Sequence, residues 1–235
     1  MPHTLLIPLV GPMQSWGSRS RFGDRDTHPE PTKSGVLGLV CAALGRERGE
    51  RMDDLNALRF GVRVDRAGHP QTDYQTSKPL LGDSANAKDS AILSTRHYLA
   101  DARFLVGLEG GNLALLRQIE DALKNPKWAL SLGRKSYPLT LPPYLPSSCN
   151  GGSLREGVEL KTSLTTEPWR YLTAREGRDG TPRTLRLLLE DPTGMDTFLD
   201  APLKFSERRF AARRVCISFL EGKELPQKEA HPCCI

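Results

Sequence analysis

Apolar positions along the chain follow two periods, and the change from one to the other marks the elements. His3 to Val10 is a mostly apolar, partly β-branched run closed by Gly11-Pro12, which predicts a buried strand. Met13 to Thr32 has no period. Its glycines, prolines and charges predict a long polar loop, a feature that is usually functional inside a compact domain. From Ser34 the spacing becomes helical through Val36, Leu37, Leu39, Val40, Ala43 and Leu44, with Thr32 or Ser34 as the cap and Gly45 as the stop. Gly35 and Gly38 in its first turns each cost about 1 kcal/mol relative to alanine, which a close approach of another backbone or a ligand, or plain packing, would offset. Phe60, Val62 and Val64 alternate as a second strand, and Arg66 to Thr95, with turn residues Gly68, Pro70, Pro79 and Gly82, predicts an extended hairpin with a mobile tip. Tyr98, Ala102, Phe104, Val106 and Leu108 predict a third strand. Gly110-Gly111-Asn112 then caps a helix carrying Leu113, Leu116, Ile119 and Leu123.

The order β-loop-α-β-β-α predicts an α+β fold of the ferredoxin-like, RRM-type layout, in which helices cover one sheet face and leave the other free. In the second half Pro138, Pro142, Pro143 and Pro146 exclude a helix, and strands are expected at Thr184 to Leu189 and Arg214 to Leu220. The division that follows is an RRM-like domain over 1–145, a smaller, mostly β extension over 146–221 and a frayed tail over 222–235.

Charge narrows the partner. The 235 residues hold 33 Lys and Arg against 28 Asp and Glu, a net charge of +5, with a pI near 9.0. That balance suits a polyanion, and the cations cluster: Arg19, Arg21 and Arg25; Arg134 and Lys135; Arg208, Arg209, Arg213 and Arg214. Five cysteines at 41, 149, 216, 233 and 234 form no C-x-x-C, which argues against a disulfide framework or a zinc ribbon. His231, Cys233 and Cys234 do not make a metal site, and no cofactor is expected. No secretory leader and no apolar stretch near the ~20 residues that span a bilayer is present, so a cytoplasmic protein with no membrane partner is expected.

Four short constellations carry candidate chemistry. Gly11 to Gly17 puts Gln14, Ser15 and Trp16 on a turn after the first strand, where an aromatic face beside hydrogen-bonding groups suits a splayed nucleotide; the bland reading is Trp16 as a core plug. Pro31 to Gly35 offers Lys33, Ser34 and free helix N–H groups to an anion, or simply caps the helix, and its spacing is not that of a P-loop. Leu132 to Pro138 sets Arg134, Lys135, Ser136 and Tyr137 behind a glycine, an arrangement for phosphates and one stacked base, or plain solvated charge. Arg96-His97-Tyr98 could supply acid and base for metal-independent RNA cleavage through the 2′-hydroxyl, or be structural.

Taken in order, G-P-M-Q-S-W-G, P-T-K-S-G-V-L-G-L, R-H-Y-L-A-D-A-R-F and L-G-R-K-S-Y-P-L-T resemble the CasD family, a subunit of Cascade, the CRISPR surveillance complex of type I-E systems. The resemblance spans roughly residues 4 to 145. It implies a modified RNA-recognition fold with a protruding thumb hairpin at about 66–95, and a subunit without catalysis that grips and caps the 5′ handle of CRISPR RNA. It implies partners as well: CasC backbone subunits, the large subunit CasA, other Cascade subunits such as CasE, which cuts the guide, and target DNA indirectly. Carried onto matching positions, the handle contacts are Gln14, Trp16, Lys33, Ser34, Arg96, Arg134, Lys135 and Tyr137.

Two other readings stand beside this one. A related type I-C branch cleaves its own repeat RNA, which makes a metal-independent endoribonuclease with His97 the runner-up, although Ala100 rather than a lysine follows Tyr98-Leu99. The third is a protein scaffold that touches no RNA. The RNA reading requires cationic and aromatic groups from separated stretches to converge on one open surface.

Overall fold

The computed structural model describes residues 1–17, 23–77, 92–148, 151–168 and 184–221. The tip of the expected hairpin, Arg19, Arg21 and the 222–235 tail lie outside them. The described elements are β1 (His3–Val10), β2 (Met13–Gln14), β3 (Asp24–Arg25), α1 (Lys33–Leu44), α2 (Asp53–Asn56), β4 (Arg59–Arg66), β5 (His69–Ser77), β6 (Ile92–Ala100), β7 (Arg103–Gly110), α3 (Leu113–Lys124), β8 (Leu154–Arg155), α4 (Leu160–Thr166), β9 (Thr184–Glu190), β10 (Asp196–Lys204) and β11 (Arg209–Glu221). The fold is mixed α+β and rich in strands.

Seven strands form one sheet in the order β10-β11-β9-β4-β7-β1-β8. β1 pairs antiparallel with β7 along its whole length, from His3 with Gly110 to Val10 with Arg103. β9 enters beside β4, with Gly61 opposite Leu189, and β8 closes the other side through Leu5 and Leu154. Strands from the second half of the chain therefore extend the sheet begun by the first. Alternation sorts the residues by face. Leu5, Ile7, Leu9, Phe60, Val62, Val64, Phe104, Val106 and Leu108 pack with α1 and α3, while Leu6, Leu105 and Leu187 pack with Leu160 and Leu164 of α4. Sequence reading expected a free second face. The central sheet is instead covered on that side by α4, a seven-residue helix too short for its period to stand out.

α1 begins where expected: the Thr32 side chain accepts from the Gly35 N–H, and Gly45 closes the helix at φ 76°. Asn112 caps α3 in the same way. The expected third strand is two. Asp101, at φ 56°, breaks the run, its N–H donates to the Pro12 carbonyl at 3.0 Å, and the halves join different sheets. β6 belongs to a small sheet in the order β2-β6-β3, where it also pairs with β5 from His69 with Ala100 to Ser77 with Ile92. The long polar loop contributes β2 and β3 to that sheet.

Candidate nucleic-acid interface

Three of the four constellations meet at the end of the large sheet where β1 finishes. Ser15 donates its N–H to the Leu132 carbonyl at 3.1 Å, and its hydroxyl to the His97 carbonyl at 3.2 Å. Gly133 sits at φ +91°, and a Cβ there would lie 1.7 Å from the Ser15 carbonyl oxygen, so only glycine lets the two loops touch. Arg134 is the clamp. Its guanidinium donates to the Tyr137 hydroxyl at 2.8 Å, the Arg25 carbonyl at 3.2 Å and the His97 carbonyl at 2.9 Å, and lies 5.4 Å from the centre of the Tyr137 ring. Tyr137 in turn packs against Tyr98, ring centres 5.9 Å apart.

The clamp leaves cations on the outside. β3 runs parallel to β6 with Arg25 in register with Arg96, and Lys135 follows the clamping residue in an exposed turn. Arg25 and Lys135 are exposed, while Arg96 is half-buried and donates to the Ser94 hydroxyl at 3.0 Å. Arg25 stood out in the sequence only as one of a cluster, because its register with Arg96 depends on a two-residue strand.

The remaining expected contact residues face inward. Gln14 is fully buried; its amide donates to the Leu9 and Ala102 carbonyls at 3.2 and 2.8 Å and accepts from the Trp16 indole at 3.2 Å. Trp16 is 1% exposed, and its ring lies against Gly35, where a Cβ would come within 2.8 Å. That contact offsets the helix-weakening glycine, so the core-plug alternative describes Trp16. Ser34 and Tyr137 are buried as well, Ser34 against the Thr32 hydroxyl.

Lys33 faces inward too. Its ammonium, 1% exposed, pairs with Glu190 at 2.9 Å and donates to the Asn56 carbonyl at 2.9 Å. Burial pulls its pKa below the usual lysine value, against the pull of Glu190. The anion expected at this helix N-terminus is a protein carboxylate: Asp200 of β10 accepts the Lys33 N–H at 2.8 Å and holds the buried Arg213 at 2.6 and 2.9 Å. Arg213 lies between the Phe60 and Phe198 rings, at 5.0 and 5.4 Å. Nothing in the spacing of the sequence ties Asp200 to a helix over 150 residues earlier.

His97 and Tyr98 point to opposite faces of β6, as neighbours on a strand must. The His97 Nδ1 lies 3.1 Å from the Thr72 hydroxyl and its Nε2 3.3 Å from Asp24. Among the described residues no group of His, Cys, Asp and Glu gathers as a metal site, and no helix is long and apolar enough to cross a membrane.

The fold and this loop cluster define an α+β protein with a cationic rim at one end of its sheet. Comparison with known proteins gives the family: the profile for CRISPR-associated protein (Cas_Cas5) matches residues 4–216. The chain belongs to that family. It is 35% identical over 183 residues to the CRISPR system Cascade subunit CasD of Escherichia coli (strain K12), a match covering 72% of this chain and 79% of that one. Two solved structures share its shape. One, described as a Cas protein, superposes with a TM-score of 0.75 at 45% identity, covering 96% of this chain and 98% of the other. The second belongs to a CRISPR RNA-guided surveillance complex, with a TM-score of 0.71, 30% identity, and coverage of 98% and 96%.

Proposed function

We propose that this chain is a non-catalytic subunit of a type I-E Cascade surveillance complex, in which it holds the 5′ handle of the CRISPR RNA. The observation that carries the reading is the Arg134 clamp, which joins three separated stretches into one rim that carries the exposed Arg25 and Lys135 and the half-buried Arg96. Phosphates sit on these cations, and the buried Gln14, Trp16, Ser34 and Tyr137 hold the loops that present them. The 35% identity to a Cascade subunit CasD supports the assembly. In this reading β5 and β6 are the arms of the thumb that meets a CasC neighbour, the large subunit CasA docks nearby, CasE cuts the guide, and the β-loop-α-β-β-α core is the modified ferredoxin-like domain.

The test is binding of handle RNA to the full chain at stepped salt. Each bound phosphate contributes about 0.7 to the slope of log affinity against log salt for a single strand, so Lys135→Glu and Arg96→Glu each lower the slope by about that much. A flat salt response of the unaltered protein overturns the reading. The endoribonuclease alternative requires His97 and Tyr98 to act on one phosphodiester, which their opposite directions on β6 oppose. Cleavage of repeat RNA in EDTA that is lost in His97→Ala would restore it.

A further inference from the structure

One basic cluster plays no part in the loop rim. β10 and β11 form a hairpin whose tip, Phe205 to Arg208, is closed by the Arg208 N–H donating to the Phe205 carbonyl at 3.3 Å. Phe205 packs inward against α1, its ring tip 3.9 Å from where a Cβ on Gly38 would stand, and fixes the tip to the body. Lys204, Arg208 and Arg209 are exposed there against one carboxylate, Glu207, which pairs with Lys204 and, at 3.5 Å, with Arg209. Among the described residues the Arg208 side chain has no partner.

The backbone of Arg208 is the informative feature. Its φ is 51°, the left-handed conformation, at the last position of a four-residue hairpin loop between the paired Lys204 and Arg209. Glycine or asparagine adopts it freely, while a longer side chain adopts it at a cost in stability. A free guanidinium therefore stands where folding favours glycine, the kind of local strain that collects at functional positions.

We infer that the tip from Lys204 to Arg209 grips the sugar-phosphate backbone of double-stranded DNA, without regard to base sequence. Its exposed groups are guanidinium and ammonium ions, and none of its exposed residues is aromatic, whereas single-strand binding relies on aromatic platforms for unstacked bases. A duplex hides its bases and offers regularly spaced phosphates. The tip also lies at the other end of the strands from the rim: β11 runs ten residues from Arg209 before Phe219 meets Arg186, beside Val64 near the loop end of β4. It can hold a second nucleic acid while the rim holds the first, and it depends on none of the rim residues.

The experiment measures binding of the full chain to a labelled mixed-sequence DNA duplex and, in parallel, to handle RNA at stepped salt. Arg208→Glu with Arg209→Glu weakens duplex binding about tenfold near 0.1 M salt and lowers its salt slope by about 2, leaving RNA binding unchanged. Arg208→Gly raises the thermal midpoint and weakens the duplex, a pair of effects that a structural role for the side chain does not give. Lys135→Glu does the converse, lowering RNA binding and sparing the duplex, so failure of the two sites is separable. The inference is overturned if the unaltered chain binds no duplex, if the variants bind it as well as the parent, if RNA binding falls equally, or if only retention of another protein is lost.

Discussion

At the scale of single residues, polar side chains separate by what satisfies them. Gln14, Lys33 and Ser34 look alike in the sequence to Arg96 and Lys135, yet internal carbonyls, a carboxylate and the Thr32 hydroxyl take up the first group, while Arg96 stays half-buried and Lys135 exposed. Burial without a partner costs more than a surface contact returns, so the internal partners decide the assignment. Lys33→Met strands Glu190 at the edge of the core and is expected to lower the unfolding free energy by roughly 2 to 4 kcal/mol. Its RNA salt slope should match the parent in the same titration, whereas a slope reduced like that of Lys135→Glu would return Lys33 to the binding surface. Gly133→Ala drives a methyl into the Ser15 carbonyl at a positive φ. A loss of about 3 kcal/mol in urea unfolding is expected, along with weaker RNA binding as the two loops part. The role of Gly133 was half legible, since a glycine before two cations and an aromatic signals a turn, but the loop it touches is over 100 residues away in sequence.

Elements were legible wherever the period was long. β1, α1, β4 and α3 fall where apolar spacing and caps place them, because eight to twelve residues give a clear periodicity and Thr32 and Asn112 carry their own signals. β10 was not legible, because Asp200, Pro202 and two register shifts interrupt its alternation. Those irregularities are where it does its work, since Asp200 joins β10 to the start of α1 and neutralises Arg213. Asp200→Ala leaves a buried guanidinium between two phenyl rings and a bare helix N-terminus, for an expected loss of about 3 to 5 kcal/mol by denaturant unfolding. A second tie, Glu30 with Arg186, fastens the segment before α1 to β9. Burial raises the Glu30 carboxyl above its ordinary value of 4.5, with Arg186 and His28 opposing. The folded chain thus holds this proton more tightly than the unfolded chain. The contribution is complete below about pH 4.5 and is lost as pH rises through the folded value. Glu30→Gln should flatten that part of a plot of stability against pH, and an unaltered curve would show that the group does not titrate on folding.

At the scale of the whole molecule, the sheet crosses the division expected at 145/146. The α+β class followed from the order of periods, but the strand order did not, because no local pattern says that β9 pairs with β4 and that β8 pairs with β1. The energetic consequence is cooperativity. β4 lies between β7 and β9, and Leu164, Leu187 and Leu188 from the second half are buried against residues of the first. A chain ending at residue 145 would expose one edge of β4 and the apolar face that α4 covers, and would lose Glu190, which pairs with the Lys33 ammonium, and Asp200, which accepts the Lys33 N–H. Such a chain is expected to fail to unfold cooperatively. With Trp128 and Trp169 replaced by phenylalanine, the full-length chain should give one transition, with fluorescence of the remaining Trp16 reporting the loop end and far-ultraviolet circular dichroism reporting the sheet at the same denaturant midpoint. Two separated midpoints, or a cooperative 1–145 fragment that binds handle RNA with the parent salt slope, would mean that the rim stands on the first half alone. One midpoint ties RNA capture to the integrity of strands over 180 residues into the chain, so that a lesion in β9 or β10 weakens RNA retention without touching a nucleotide.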